Sequence, residues 1–176
     1  MKKILITGIT GLLGSYLAKS YAGKAQISGL KRKNSSTRLL GNLASQINWY
    51  EGEINDVELL IEACENQDLV IHAAGMVSFD ESKKEALLET NTQGTACLVN
   101  AMLSSNCNKL VFISSIAALG KDASPLINED QKWVNSPLNT PYAISKHLAE
   151  LEVWRGAQEG LEVMVFNPSI LLAKIG

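Results

Sequence analysis

The chain is expected to fold as a doubly wound parallel α/β sheet, and three features predict it. Short unbroken apolar runs recur along its length, longer helical patterns separate them, and a glycine-rich turn joins the first run to the first helical segment. Unbroken apolar strands suit a sheet covered on both faces, which parallel strands with crossover helices provide. Right-handed crossovers then favour the strand order 3-2-1-4-5-6.

The first strand is read at Lys3–Thr7 ("KILIT"), and the glycine turn after it opens a helix over Leu12–Ala22. A second strand at Ala25–Leu30 precedes "STRLLGNLASQ", which could hold a short helix or only a loop. The third strand, Ile47–Gly52, leads to a helix at Val57–Asn66, and the fourth, Asp68–Ala74, to a long helix at Lys83–Asn106. The fifth strand, Lys109–Ser115, is followed by a helix at Pro141–Glu159 and a sixth strand at Leu161–Asn167. Proline suits the start of that last helix, because its missing N–H costs little in a first turn.

A length of 176 residues allows one compact domain with a sizeable core. Hydrophobic residues at 46% and charged residues at 19% form an ordinary globular balance, which argues against disorder. A net charge of −2 makes no electrostatic case for nucleic acid or an anionic membrane as a partner. No apolar run approaches a membrane span, and Thr7 and Gly8 interrupt "MKKILITGIT" too early for a signal-peptide core. Cys64, Cys97 and Cys107 have neither a CxxC nor a His-rich spacing. The simplest expectation is a reduced, cytoplasmic protein with no disulfide framework and no metal site.

The turn Thr7-Gly8-Ile9-Thr10-Gly11-Leu12-Leu13-Gly14 is a G-x-x-G-x-x-G run opening a helix. Glycine permits a tight turn and close backbone approach to a pyrophosphate, whose charge suits a helix N-terminus. Gly14 would let the helix pack closely on the sheet. Any strand-to-helix turn can use glycine, so the run means little in isolation. At the first junction of an α/β pattern it favours dinucleotide binding, with Gly8, Thr10, Gly11, Leu12, Leu13 and Gly14 as the cradle.

The second strand decides which dinucleotide. An NAD site usually ends this strand in an acidic residue for the ribose 2′-hydroxyl. Here Lys31, Arg32 and Lys33 follow Leu30. A carboxylate would repel a 2′-phosphate, whereas a guanidinium grips it with charge-assisted hydrogen bonds. Arg32 is therefore the candidate phosphate contact, with Lys31 and Lys33 equally readable as a solvated basic turn. NADP is preferred to NAD.

Tyr142 and Lys146 in "TPYAISKH" are four residues apart and share one helix face. As an isolated pair they read as a half-buried tyrosine beside a snorkelling lysine. Their company changes this. The chain resembles the extended short-chain dehydrogenase/reductase family in Gly8, Gly11 and Gly14, "HAAG" (His72–Gly75), "NTQGT" (Asn91–Thr95), "FISSIAALG" (Phe112–Gly120), "YAISK" (Tyr142–Lys146) and "FNPS" (Phe166–Ser169). Each piece is weak; their order and spacing together are specific.

The resemblance implies a Rossmann-type domain in which Tyr142 is the catalytic acid/base and Lys146 its ammonium neighbour. Ser115 would orient the reacting oxygen, being the serine five residues before Gly120. It also implies that Ala73 and Ala74 line the cofactor, that Asn91 steadies its helix against the neighbouring strand, and that Asn167 and Pro168 lie near the nicotinamide. Family members often carry G-D-x-x-D after the third strand; Gly52-Glu53-Ile54-Asn55-Asp56 departs from it, leaving Glu53 with Ile54 as the adenine contact.

Such chemistry has a physical basis. A free tyrosine, with a pKa of roughly 10, is a poor base near neutrality. An adjacent ammonium and an oxidised nicotinamide both favour phenolate. Ser115, at a strand C-terminus, lies where open α/β sheets bind ligands and could hydrogen-bond the developing oxyanion.

Other polar and aromatic residues read as structural. His72 is expected to be packed or hydrogen-bonded in the core, and His147 to face solvent. Glu129, Asp130 and Glu150 read as a solvated loop and helix face. Trp133 and Trp154 read as packing residues, although the loop bearing Trp133 could border a substrate.

The leading functional expectation is an NADP-dependent oxidoreductase acting on a small-molecule carbonyl or alcohol. "HAAGMVSF" (His72–Phe79) is similar to the stretch in the dihydroflavonol-reductase and 3β-hydroxysteroid-dehydrogenase-like branches. One alternative is a nucleotide-sugar epimerase or dehydratase that retains NAD; another, of a different class, is a non-catalytic dinucleotide-binding domain. By resemblance, residues 1–176 would form one NAD(P)-binding domain lacking the usual C-terminal substrate domain, with little activity alone. A homodimer through Lys83–Asn106 and Pro141–Glu159 is likewise implied.

Overall fold

The computed structural model describes residues 1–120, 128, 130 and 133–172. Six strands form one sheet: β1 (Lys2–Thr7), β2 (Ala25–Lys31), β3 (Asn48–Glu51), β4 (Leu69–His72), β5 (Lys109–Ile113) and β6 (Glu162–Phe166). Every pairing is parallel and the order is β3-β2-β1-β4-β5-β6, as the crossover rule predicts. The register sets Thr7 beside both Leu30 and His72, and His72 beside Phe112, so the C-terminal ends of the central strands align.

Alternation along β1 and β4 assigns residues to two cores, because successive strand side chains point to opposite faces. Leu5 and Val70 join Leu60 and Ala63 of α2 (Val57–Cys64), Leu98 and Met102 of α4 (Gly94–Leu103), and Val153 of α5 (Pro141–Gln158). Ile4, Ile6 and Ile71 join Ala18 of α1 (Leu12–Tyr21), together with Leu40 and Ile47. Leu98 is fully buried, so truncation to alanine would cost about 2–5 kcal/mol.

Several boundaries differ from expectation for local reasons. The long helix does not run evenly from Lys83 to Asn106. A 3-10 turn at Glu81–Lys83 and α3 (Lys84–Leu87) lead into a wide π turn at Leu88–Gln93, which continues into α4. Asn91 sits in the wide turn, and the Thr95 hydroxyl donates to its carbonyl oxygen at 2.5 Å. The helix ends at Leu103 because Ser104 and Ser105 turn their amides back to Asn100 and Met102. Helix α2 stops at Cys64, just before Asn66 adopts a left-handed φ of 59°. Strand β4 stops at His72 and β5 at Ile113, short of the expected Ala74 and Ser115, because the chain there bends into the turns that form the site. The segment between β2 and β3 holds 3-10 turns over Arg38–Gln46, broken at Gly41 (φ 56°). No helix among the described residues is long and apolar enough to cross a membrane.

Candidate active site

The site is assembled along the C-terminal edge of the sheet. Gly8 takes a φ of +66°, and a Cβ there would lie 2.5 Å from the Ala74 nitrogen. The glycine turn is therefore pressed against Ala73 and Ala74, where only glycine fits. A Cβ on Gly14 would collide with the Gly8 carbonyl, so the first turn of α1 rests directly on the turn. The Gly11 amide donates to Gly8 O at 2.9 Å. No side chain caps α1 at Gly11, and its first turn carries no acidic residue. The amide end of α1 is thus open to an anion beside Thr10, Leu12 and Leu13, and these residues could hold a pyrophosphate.

At the end of β2, Lys31 pairs with Glu51 and lies 5.8 Å from the Trp49 ring centroid. Lys31, by hydrogen bond and charge, holds the Glu51 carboxyl below its usual range, and Lys33 adds to this. Lys31 is therefore occupied. Arg32 is exposed and borders a cavity of about 280 Å³ with Lys33, Asn34, Ser35 and Glu53. Glu53 faces this cavity, whereas Ile54 packs on the core, and a Cβ on Gly94 would lie 2.7 Å from its methyl group.

Beyond β4 a buried polar chain locks the floor of the site. The Ala74 amide donates to the Thr7 hydroxyl oxygen (3.2 Å), which lies 2.6 Å from His72 Nδ1. His72 Nε2 is 3.0 Å from the Thr95 hydroxyl, whose own proton goes to Asn91 O. One assignment satisfies every group: Thr7 donates to Nδ1, and neutral His72 donates from Nε2 to Thr95. Burial, aided by the nearby Lys146 charge, lowers the His72 pKa to about 3, which agrees. His72 is a core residue, as expected. Asn91 exchanges hydrogen bonds with Met76 N and O (2.7 and 2.9 Å) and donates to Ser145 Oγ, pinning the loop after β4 to α5.

Pro141 opens α5 and Thr140 caps it, accepting from the Ala143 amide at 3.2 Å. This places half-buried Tyr142 in the first turn, with the Phe79 ring edge-on at 6.2 Å. One turn later, Lys146 is only 4% exposed. Its Nζ donates to Ile113 O at 2.8 Å and lies 4.4 Å from the Phe112 ring centroid. Burial lowers its pKa to about 8, while the Glu150 charge opposes the fall. Ser115 follows β5 and caps a short 3-10 turn, its hydroxyl accepting from the Ala117 amide at 3.2 Å. Ser114 is buried, and its hydroxyl has no partner among the described residues. Of the two serines, Ser114 is buried and Ser115 is half-buried.

Asn167 and Pro168 follow β6 directly. Ser114 N donates to Phe166 O and Ile116 N to Pro168 O, so this segment brackets Ser115. Asn167 Nδ2 donates to Ser115 O at 3.1 Å and to Glu150 Oε1 at 2.6 Å.

Two expectations are corrected here. Glu150 does not lie on a solvated face: it is 9% exposed, because position 150 falls on the same side of α5 as Lys146 and meets Asn167. His147 does not simply face solvent; it is half-buried and stacks on Trp133 at 4.0 Å between ring centroids. Asp130 is exposed as expected, and Glu129 lies outside the described residues. Trp133 borders a cavity with Trp154, His147 and Glu150. The sequence reading missed Glu150, Thr7 and Phe79. The i, i+4 spacing of Lys146 and Glu150 was the available signal for the first.

The NAD dependent epimerase/dehydratase family model matches residues 4–174. A putative dihydroflavonol 4-reductase of Synechocystis sp. is 30% identical over 168 residues, covering 93% of this chain and 48% of that protein. A UDP-glucose 4-epimerase of Neisseria meningitidis serogroup C is 33% identical over 160 residues, covering 85% of this chain and 47% of that protein. Among solved structures, the Bordetella bronchiseptica enzyme WbmH in complex with NAD+ superposes with a TM-score of 0.79 at 25% identity, over 95% of this chain and 55% of that one. The chain spans about half the length of the curated relatives it matches. The matched span takes in the glycine turn, the floor after β4 and the Tyr142–Lys146 helix, and the chain belongs to the NAD dependent epimerase/dehydratase family.

Proposed function

We propose that this chain carries the cofactor-binding and catalytic face of an NADP-dependent oxidoreductase acting on a small-molecule carbonyl or alcohol. The observation that carries this reading is the buried Lys146, one helical turn after Tyr142 on α5 and hydrogen-bonded to the Ile113 carbonyl at the end of β5, two residues before Ser115. The Lys146 ammonium and the Tyr142 hydroxyl are both borne by α5, the helix that follows the Ser115 turn in chain order. In the reductive direction Tyr142 would give its proton to the substrate oxygen as hydride reaches the carbon. Ser115 would hydrogen-bond that oxygen as charge develops. In the oxidative direction the Tyr142 oxygen would take the alcohol proton.

The nicotinamide cofactor supplies the hydride. The open end of α1, with Gly8 and Gly11 beside it, fits its pyrophosphate, and the confined space at Gly8 matches a backbone that must approach closely. Arg32 supports NADP over NAD: its side chain has no partner among the described residues, while Lys31 is taken by Glu51. Asn167, Pro168, Ala73 and Ala74 would border the nicotinamide half.

A second reading, a nucleotide-sugar epimerase with retained NAD, draws on the 33% identical UDP-glucose 4-epimerase. Absorbance at 340 nm separates the two. With NADPH and a panel of aldehydes and ketones, slow net cofactor oxidation, in keeping with little activity of this chain alone, is expected and should vanish in Tyr142→Phe while NADPH still binds. Inversion of UDP-glucose with no net cofactor change would replace the first reading with the second. Failure to bind either dinucleotide would overturn both.

A further inference from the structure

Glu150 is the one carboxylate among the described residues that is buried. It stands one turn beyond Lys146 on α5, and its Oε1 accepts from Asn167 Nδ2 at 2.6 Å. The same amide nitrogen reaches Ser115 O at 3.1 Å. Backbone hydrogen bonds on either side, Ser114 N to Phe166 O (2.8 Å) and Ile116 N to Pro168 O (3.1 Å), tie the Ser115 turn to the end of β6. One carboxylate thus meets, through a single asparagine, the strand end that carries Ser115, and shares a helix face with Lys146.

Such a group needs a reason to be buried. An isolated buried carboxylate is costly and persists when paired and hydrogen-bonded. We propose that Glu150 is a positioning residue of the candidate active site: it clamps Asn167 against the Ser115 carbonyl and supplies the counter-charge for the buried Lys146 ammonium. This inference rests on the reading of Ser115 and Lys146 given above.

The surroundings of Lys146 make the assignment specific. Strand β5 presents it with the Phe112 ring and the Ile113 carbonyl, neither of them a counter-ion. Strand β4 contributes His72, which is neutral. On α5 the titratable neighbours are Tyr142, His147 and Glu150. Glu150 is the charge that raises the Lys146 pKa against the lowering by burial, and it acts in the same sense on His147.

The test needs neither substrate nor cofactor. The chain is labelled with 13Cε-lysine, and the Lys146 signal, assigned by its loss in Lys146→Arg, is titrated in wild type, Glu150→Gln, Glu150→Asp and Glu150→Ala. Glutamine keeps an acceptor for Asn167 and removes the charge. The Lys146 midpoint should fall by roughly one pH unit in Glu150→Gln and recover in Glu150→Asp, the shift expected for losing a nearby opposite charge. Amide exchange reads the clamp: Ser114 and Ile116 should exchange at least about tenfold faster in Glu150→Ala and stay near wild type in Glu150→Gln. A folded Glu150→Gln with an unchanged Lys146 midpoint, or a folded Glu150→Ala with unchanged exchange, overturns the proposal.

If the variants do not fold, wild type alone decides. The Asn167 side-chain amide, which donates to Ser115 O and Glu150 Oε1, should exchange at least about tenfold more slowly than a free primary amide. An Asn167 side-chain amide that exchanges at the free rate overturns the proposal. Because these readouts are independent of NADPH, the clamp can fail while cofactor binding stands, and the reverse.

Discussion

Replacing Arg32 with alanine should discriminate between the two dinucleotides. The side chain is exposed and has no partner among the described residues, so its removal should not disturb the fold. Its whole effect would then fall on a 2′-phosphate seated in the cavity shared with Ser35 and Lys33. A charge-assisted hydrogen bond contributes about 1.5–3 kcal/mol, which converts to a loss of roughly 10- to 150-fold in NADPH affinity. Exposure and salt screening draw the value toward about tenfold at physiological ionic strength, with a larger loss at low salt. NADH lacks the phosphate and would use the same glycine turn, so its affinity should change by less than about twofold. Calorimetry with both cofactors, at two salt concentrations, measures all four values. Lys31→Ala serves as the contrast: Lys31 is engaged by Glu51 and stacked on Trp49, so it should leave the preference intact. Equal losses for NADPH and NADH in Arg32→Ala, or no loss for NADPH, would refute the assignment.

Other substitutions probe separate parts of the site. Gly14→Ala forces a methyl group into the Gly8 backbone, which has no freedom to yield, and should destabilise the fold by about 1–3 kcal/mol or more, read from the urea midpoint. Ser114→Ala removes a buried hydroxyl that has no partner among the described residues and should leave stability unchanged or raised. Ser115→Ala should lose about 1 kcal/mol through its cap on Ala117 and abolish any NADPH-dependent turnover. His72 binds its proton far more weakly folded, at about 3, than the ordinary 6.5. Its contribution is therefore fully present above pH 6.5 and is lost as the pH falls toward 3, because the unfolded chain takes up the proton first. Urea unfolding of wild type across that range should be steeper in pH than that of His72→Gln, and parallel curves would refute a buried neutral His72.

Much of the architecture was legible in the chain. The apolar runs and crossover rule led to the observed strand order, because hydrophobic period and chirality are local properties that propagate. The glycine turn was legible for a related reason: a positive φ at Gly8 and backbone contact at Gly14 exclude other residues. The interruption at Asn91 was not legible. Its wide turn depends on partners at Met76 and Ser145, far away in sequence, and nothing in "NTQGT" alone announces them.

The sequence by itself determined which strand ends and helix starts carry Gly8, Ser115, Tyr142 and Lys146, since each sits at a boundary that its neighbours dictate. Only the tertiary structure decided what surrounds them. Lys31 is spent on Glu51 while Arg32 is left open, and Glu150 is drawn from an expected solvent face into contact with Asn167. Whether a charge is solvated, paired or buried depends on elements that meet across the sheet edge, and helical spacing alone cannot distinguish these outcomes.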